Sequence, residues 1–380
     1  MTTSAFDSYR PPDEGGRRRR RSSLLDNVSG AARSMTRGTS SWLTGDGGGR
    51  REAQAVPDVE FSSYYGRAVV KPMRWKHEIP AYLFLGGVAA GSGLLGTGAA
   101  ATGLDVLRRR SRLTAMATVA ASGALLVSDL GRPERFLNML RTVKLTSPMS
   151  VGTWIFSAYS AFTGVTTAAE VARMLPSRPS GPVGTVLRLL DVVETPAGVG
   201  QALFAAPLAA YTAVLLSDTA TPLWFESRRH LPFVFVGSAA LAASGVQMVL
   251  SPAAQSGPAR RLALLGVVSD LAAMHRLEAQ LAQDGVLEPM ETGSAGRMLR
   301  TAKVLTVAGG VGTLLAGRSR AVAVVAGTAL AAASALTRFG VVDAGIESAK
   351  DPKYTVDPQK ARLEQRRAQG TVDDSIVTVR

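Results

Sequence analysis

The sequence predicts an all-α, polytopic membrane protein with about eight transmembrane helices behind a disordered basic N-terminal tail. Three observations carry that expectation. Hydrophobic residues make up 46% of the 380-residue chain and charged residues only 19%. The apolar residues gather into long blocks, while polar ends hold the mean hydropathy down to +0.13. Several blocks approach the roughly twenty residues that a helix rising 1.5 Å per residue needs to cross about 30 Å of hydrocarbon.

Residues 1–67 are rich in Gly, Ser, Arg and Pro and lack periodic apolar positions, which predicts a disordered cytoplasmic tail. Arg17 to Arg21 followed by Leu24 and Leu25 superficially suggest a twin-arginine export signal. Asp26 and Asn27 follow at once, and no apolar stretch develops. The transmembrane domain is expected over 68–342. Its first span, 80–104, has no charge; the second, 113–130, ends at Asp129; the third, 145–169, is again charge-free. The fourth, 195–217, carries Pro196 and Pro207, which membrane helices tolerate when neighbours satisfy the freed backbone. Span five is 231–250, and span six, 261–277, is interrupted by Asp270. Two short spans, 304–317 and 321–337, are joined through Arg318 and Arg320, and 343–380 reads as a polar C-terminal tail. Gly87 and Gly91 form a small-xxx-small pair, and Gly309, Gly310 and Gly312 a second small-residue cluster. Without a preceding strand these predict close helix packing rather than phosphate binding.

The net charge is +14, which in a soluble protein would suggest nucleic acid. Here the basic residues lie in the tail and beside apolar blocks, with no interleaved aromatics, so positive-inside bias and anionic lipid explain them more simply. An even number of spans places both termini on one side, and the arginine-rich tail makes that side cytoplasmic in a cell membrane. Arg108 to Arg110 and Arg112 run against this assignment, because they fall in a connection expected outside.

Cysteine is absent, which removes thiolate chemistry and cysteine-ligated iron–sulfur clusters from this chain. The three histidines, His77, His230 and His275, show no pairing of the kind that holds haem between facing helices. Asp270 and Glu194 are the candidate proton-relay carboxylates, since an ionisable group at membrane depth is costly to retain without a role. The competing reading for Asp270 is a buried ion pair. For Glu194, Asp191, Glu170 and Asp105 it is an interfacial carboxylate beside an arginine. A second cluster gathers where spans one, two and three share an end. His77, Glu78, Tyr82 and Asp129 there offer the hydrogen-bonding and proton-conducting groups that quinone reduction needs. An interfacial aromatic belt with snorkelling charges would use the same residues.

Three segments carry a family resemblance: Trp75-x-x-Glu-Ile-Pro-x-Tyr-Leu-Phe-Leu-Gly-Gly87, Asp129-Leu-Gly-Arg-Pro133 and Thr146-Ser-Pro-Met-Ser-Val-Gly152. They look like the polysulfide reductase membrane-subunit family, NrfD/PsrC. The stretch from Ser348 to Gln359 resembles that family's C-terminal segment, so the likeness runs from about Val70 to Gln359. The resemblance implies an eight-helix membrane anchor without haem. It implies docking to a four-cluster ferredoxin-like iron–sulfur subunit and a molybdopterin catalytic subunit, and electron exchange with menaquinone or ubiquinone. His77, Glu78, Tyr82 and Asp129 become the expected quinone contacts, with Arg132, Glu134 and Arg135 in a loop facing the partner. A cytoplasmic catalytic subunit of the formate-dehydrogenase type is favoured among relatives that serve different substrates. The alternatives are a secondary transporter coupling through Asp270 and Glu194, against which no internal repeat is visible, and a passive anchor.

Overall fold

The computed structural model describes residues 68–370 except 76, 131–133, 135 and 177–178. The basic tail 1–67, Arg132 and Arg135 lie outside the described residues. Among the described residues, regular structure is entirely helical. Eight helices are twenty residues or longer: α1 Glu78–Ala101, α2 Asp105–Asp129, α3 Pro148–Arg173, α4 Pro182–Ser217, α5 Leu231–Leu250, α6 Gly257–Gln283, α7 Gly293–Leu315 and α8 Arg320–Lys350. A short helix, Pro222–Glu226, precedes α5; another, Glu288–Glu291, precedes α7; and Lys353–Ala368 follows α8.

Six of the eight, α1, α2, α4, α5, α7 and α8, are long and apolar enough to cross a membrane, and the chain is an integral membrane protein. The eight long helices fall at the eight expected spans, and six of them meet the length and apolarity of a span unaided. The other two are long but more polar. In α3 the polar groups turn inward: Thr153, Tyr159, Thr163, Thr166, Thr167 and Glu170 are all buried. In α6, Arg260, Arg261, Asp270, His275, Arg276 and Glu278 break up the apolar run.

Local sequence sets the helix ends. Pro148, Pro182, Pro232 and Pro258 sit in the first turns of α3, α4, α5 and α6, where a missing N–H leaves no bond unmade. The Ser147 side chain also accepts from the Ser150 N–H at the start of α3. Gly103, at φ +69°, supplies the left-handed residue that reverses the chain from α1 into α2. Hydrogen bonding carries three helices beyond their apolar cores, since charge ends a hydrocarbon span without ending a helix. Thus α4 begins at Pro182 instead of 195, α7 begins at Gly293 instead of 304, and α8 continues past 337 to Lys350.

Helix α1 is the hub, packing on α2, α4, α5 and α8. At Gly91 an added Cβ would lie 2.4 Å from the Ala243 Cβ, and at Gly87 it would lie 3.3 Å from Ala239, so this glycine pair sets the close α1–α5 approach. Gly309 and Gly312 likewise seat against Leu330 and Ala326 of α8. Polar bonds add specificity inside this apolar frame. The Tyr159 hydroxyl donates to the Ala89 carbonyl, Gln201 donates to Thr163 at 2.8 Å, and Thr97 donates to the Gly198 carbonyl at 2.9 Å.

Candidate functional site

The start of α1 meets the start of α7 and the last turns of α8 around a cavity of about 350 Å³. Trp75, Pro80, Met298, Phe339, Val342 and Ile346 form its apolar wall, and His77, Ser294 and Asp343 supply its polar groups. Aromatic stacking builds the wall. Trp75 stacks on Trp224 with ring centroids 5.4 Å apart, and His77 on Phe339 at 6.2 Å. Trp224 is itself locked in place, because its Nε1 donates to the Val341 carbonyl at 2.9 Å and Gly345 leaves space for the indole ring. The Ser294 hydroxyl donates to the Asp343 carboxylate across the α7–α8 junction.

The four expected quinone contacts divide among three environments. His77, exposed at the N-cap of α1, faces α7 and α8 in this cavity. Glu78, partly buried with one carboxylate oxygen lacking a hydrogen-bond partner, is electrostatically coupled to exposed Asp129 at the end of α2. Tyr82 is only 4% exposed and packs in the core, where its carbonyl accepts from Ser122 at 3.2 Å. Glu134 is exposed in the connection between α2 and α3. Sequence reasoning missed Ser294, Phe339 and Asp343, which sit more than two hundred residues beyond His77 and carry no local motif.

Two further ionic groups lie deeper or at the opposite end. Asp270 on α6 is 4% exposed, and its electrostatic partner is Arg338 on α8, 1% exposed. Arg338 donates to the Phe235 carbonyl at 2.6 Å and lies 3.7 Å over the Phe235 ring. At the far end of the bundle Glu194 is held by both Arg112 and Arg173, and Glu170 by Arg108 at 2.9 Å and Arg112 at 3.2 Å. The cluster of arginines that opposed the simple charge rule is thus largely spent on buried carboxylates. His275 faces outward on α6, and no group of three or more metal-ligating side chains forms among the described residues.

A sequence model described as polysulphide reductase, NrfD, matches residues 68–269, more than half of the chain. The chain belongs to the NrfD polysulphide reductase family. A comparison with curated proteins found no match. The NrfD match contains the segments from Trp75 and Asp129 that carried the resemblance, together with His77, Tyr82, Glu134 and Glu194. It stops inside α6, so Asp270, Ser294, Arg338 and Asp343 fall outside the matched region of this NrfD chain.

Proposed function

We propose that this NrfD chain is the quinone-reactive membrane subunit of an oxidoreductase complex, exchanging electrons between an iron–sulfur partner and the membrane quinone pool. The observation that carries the reading is the His77 cavity. Its volume falls at the lower end of the roughly 300–1,000 Å³ typical of small-molecule sites, and its aromatic and aliphatic wall with a few convergent polar groups suits a quinone ring. Quinone enters as substrate. Its reduction takes two electrons and two protons, and the chain has no cysteine to ligate a cluster of its own. The electrons therefore belong to a partner, taken here as a four-cluster ferredoxin-like subunit bound to a molybdopterin catalytic subunit of the formate-dehydrogenase type. Docking falls on the face where α1 begins, beside Glu134, with both termini cytoplasmic.

Within the cavity His77 hydrogen-bonds a quinone carbonyl, while Trp75 and Phe339 flank the ring and exclude water. Glu78 and Asp129 form a carboxylate pair at the adjoining α1–α2 mouth that relays protons toward the site, and buried Tyr82 fixes the first turns of α1. Asp270, with Arg338 as counter-charge, is the intramembrane carboxylate available for proton exchange; Glu194 is committed to two guanidinium groups. In the purified complex, His77→Ala is expected to lower electron transfer to a menaquinone analogue at least tenfold, with partner assembly intact. Undiminished transfer would remove the cavity from the mechanism.

A further inference from the structure

We propose that Asp343 is the carboxyl group that exchanges protons with quinone in the His77 cavity, an inference that rests on the quinone reading of that cavity. Among the described residues, two titratable side chains line it, His77 from the start of α1 and Asp343 from α8. A ring held between those helices therefore meets a titratable group on each side. Asp343 is partly exposed, so it can refill its proton from water at the end of the bundle. Its orientation is set by the neutral hydroxyl of Ser294.

This separates it from the other well-held carboxylates. Glu170 and Glu194 are bound by arginines, Glu226 by Arg228 and Arg362, and Glu288 by Lys353, all of which favour the ionised form. The charged and titratable groups on the described elements around Asp343 are His77 at the N-cap of α1, Glu78 and Tyr82 on α1, Glu288 and Glu291 on the short helix before α7, Arg297, Arg300 and Lys303 on α7, and Arg320, Arg338, Glu347 and Lys350 on α8. None of them forms an ion pair with Asp343 among the described residues. The Ser294 hydroxyl can donate to the Asp343 carboxylate or accept from its carboxyl form, so this contact suits both states that an acid–base group passes through.

Two electrons come from the iron–sulfur partner, which is oxidised; the Asp343 O–H bond breaks and an O–H bond forms on one quinone oxygen, and the second proton reaches the other oxygen from water. Water then returns a proton to the carboxylate. Quinol oxidation runs the same exchange backwards.

The test uses the assembled complex with Asp343→Asn, Asp343→Glu and Ser294→Ala, and reads kcat, KM and the pH profile with a soluble quinone analogue. Asp343→Asn is expected to lower kcat about a hundredfold, within the range for losing a general acid–base group, and to change KM less than about threefold. The limb of the pH profile that reports this carboxyl should vanish, and Asp343→Glu should restore it in part. Ser294→Ala should move that limb without abolishing turnover. An unchanged kcat and profile in Asp343→Asn overturns the inference. If that variant does not assemble, an unchanged profile in Ser294→Ala overturns it instead. A wild-type complex whose photoreactive quinone labels a different part of the chain defeats the quinone reading itself, which is a separate outcome.

Discussion

Single side chains decide how this bundle closes around its cavity. Gly345 is one of them: a Cβ there would come within 2.0 Å of the Trp224 ring. Gly345→Ala should therefore cost about 1–3 kcal/mol or more, as overpacking does, and lower the melting temperature of the detergent-purified protein. Gly98→Ala, where nothing lies within 4 Å, is the matched control and should be neutral or slightly stabilising. Arg338 is another, since the Asp270 carboxylate relies on it deep in the protein. No direct ion pair joins the two, so Arg338→Met should destabilise by less than the about 3–5 kcal/mol that breaking a buried pair costs. Adding Asp270→Asn should recover most of that loss. No recovery in the double variant would show that Arg338 acts through Phe235 and packing instead.

At the scale of elements, the C-terminal helix Lys353–Ala368 is fastened by ionic contacts rather than by an apolar stripe. Lys353 reaches Glu288 at 2.7 Å, Tyr354 donates to the same carboxylate at 2.9 Å, and Arg362 reaches Glu226 at 2.5 Å. Hydrogen bonds from Lys353 and Tyr354, with the Lys353 charge, hold the Glu288 carboxyl below its ordinary range. A depressed carboxylate contributes docking above its unfolded value and loses it as pH falls through the depressed one. Hydrogen-exchange protection along this helix, corrected for the slower intrinsic exchange in acid, should therefore be high at neutral pH and fall in acid, and Glu288→Gln should reduce that acid sensitivity, leaving the part due to the Arg362–Glu226 contact. A helix equally protected at both pH values would contradict the ionic account.

The same scale shows what the sequence made legible. Long apolar blocks revealed α1, α4 and α5 because nothing but burial in lipid or protein explains them. The true reach of α7 and α8 was hidden, since Arg297, Arg300, Lys303 and Arg338 interrupt hydropathy while leaving helical hydrogen bonding untouched. Helices α3 and α6 read as spans like the rest, although inward-turned Thr and Glu side chains and scattered charges keep them below the composition of the other six.

For the whole molecule, candidate residues were legible where they are written locally and illegible where they depend on tertiary contact. His77 was legible as a candidate because it lies inside a motif at the entrance of the first helix. Asp343, Phe339 and Ser294 were not, because only folding brings α7 and α8 against α1. The arginines at the opposite end misled the charge count for a related reason: a charge rule counts residues, and Arg112 is buried against Glu170 and Glu194 rather than facing solvent or lipid headgroups. Family membership rests on 68–269, yet six of the nine residues lining the cavity come from beyond that segment.

The most direct test is photolabelling of the purified complex with a photoreactive menaquinone analogue, followed by peptide mapping. The account predicts labels on the segment around Trp75 and His77 and on the α8 segment from Phe339 to Ile346, both suppressed by excess quinone and by His77→Ala. Labels confined to other helices, or unaffected by competing quinone, would contradict it.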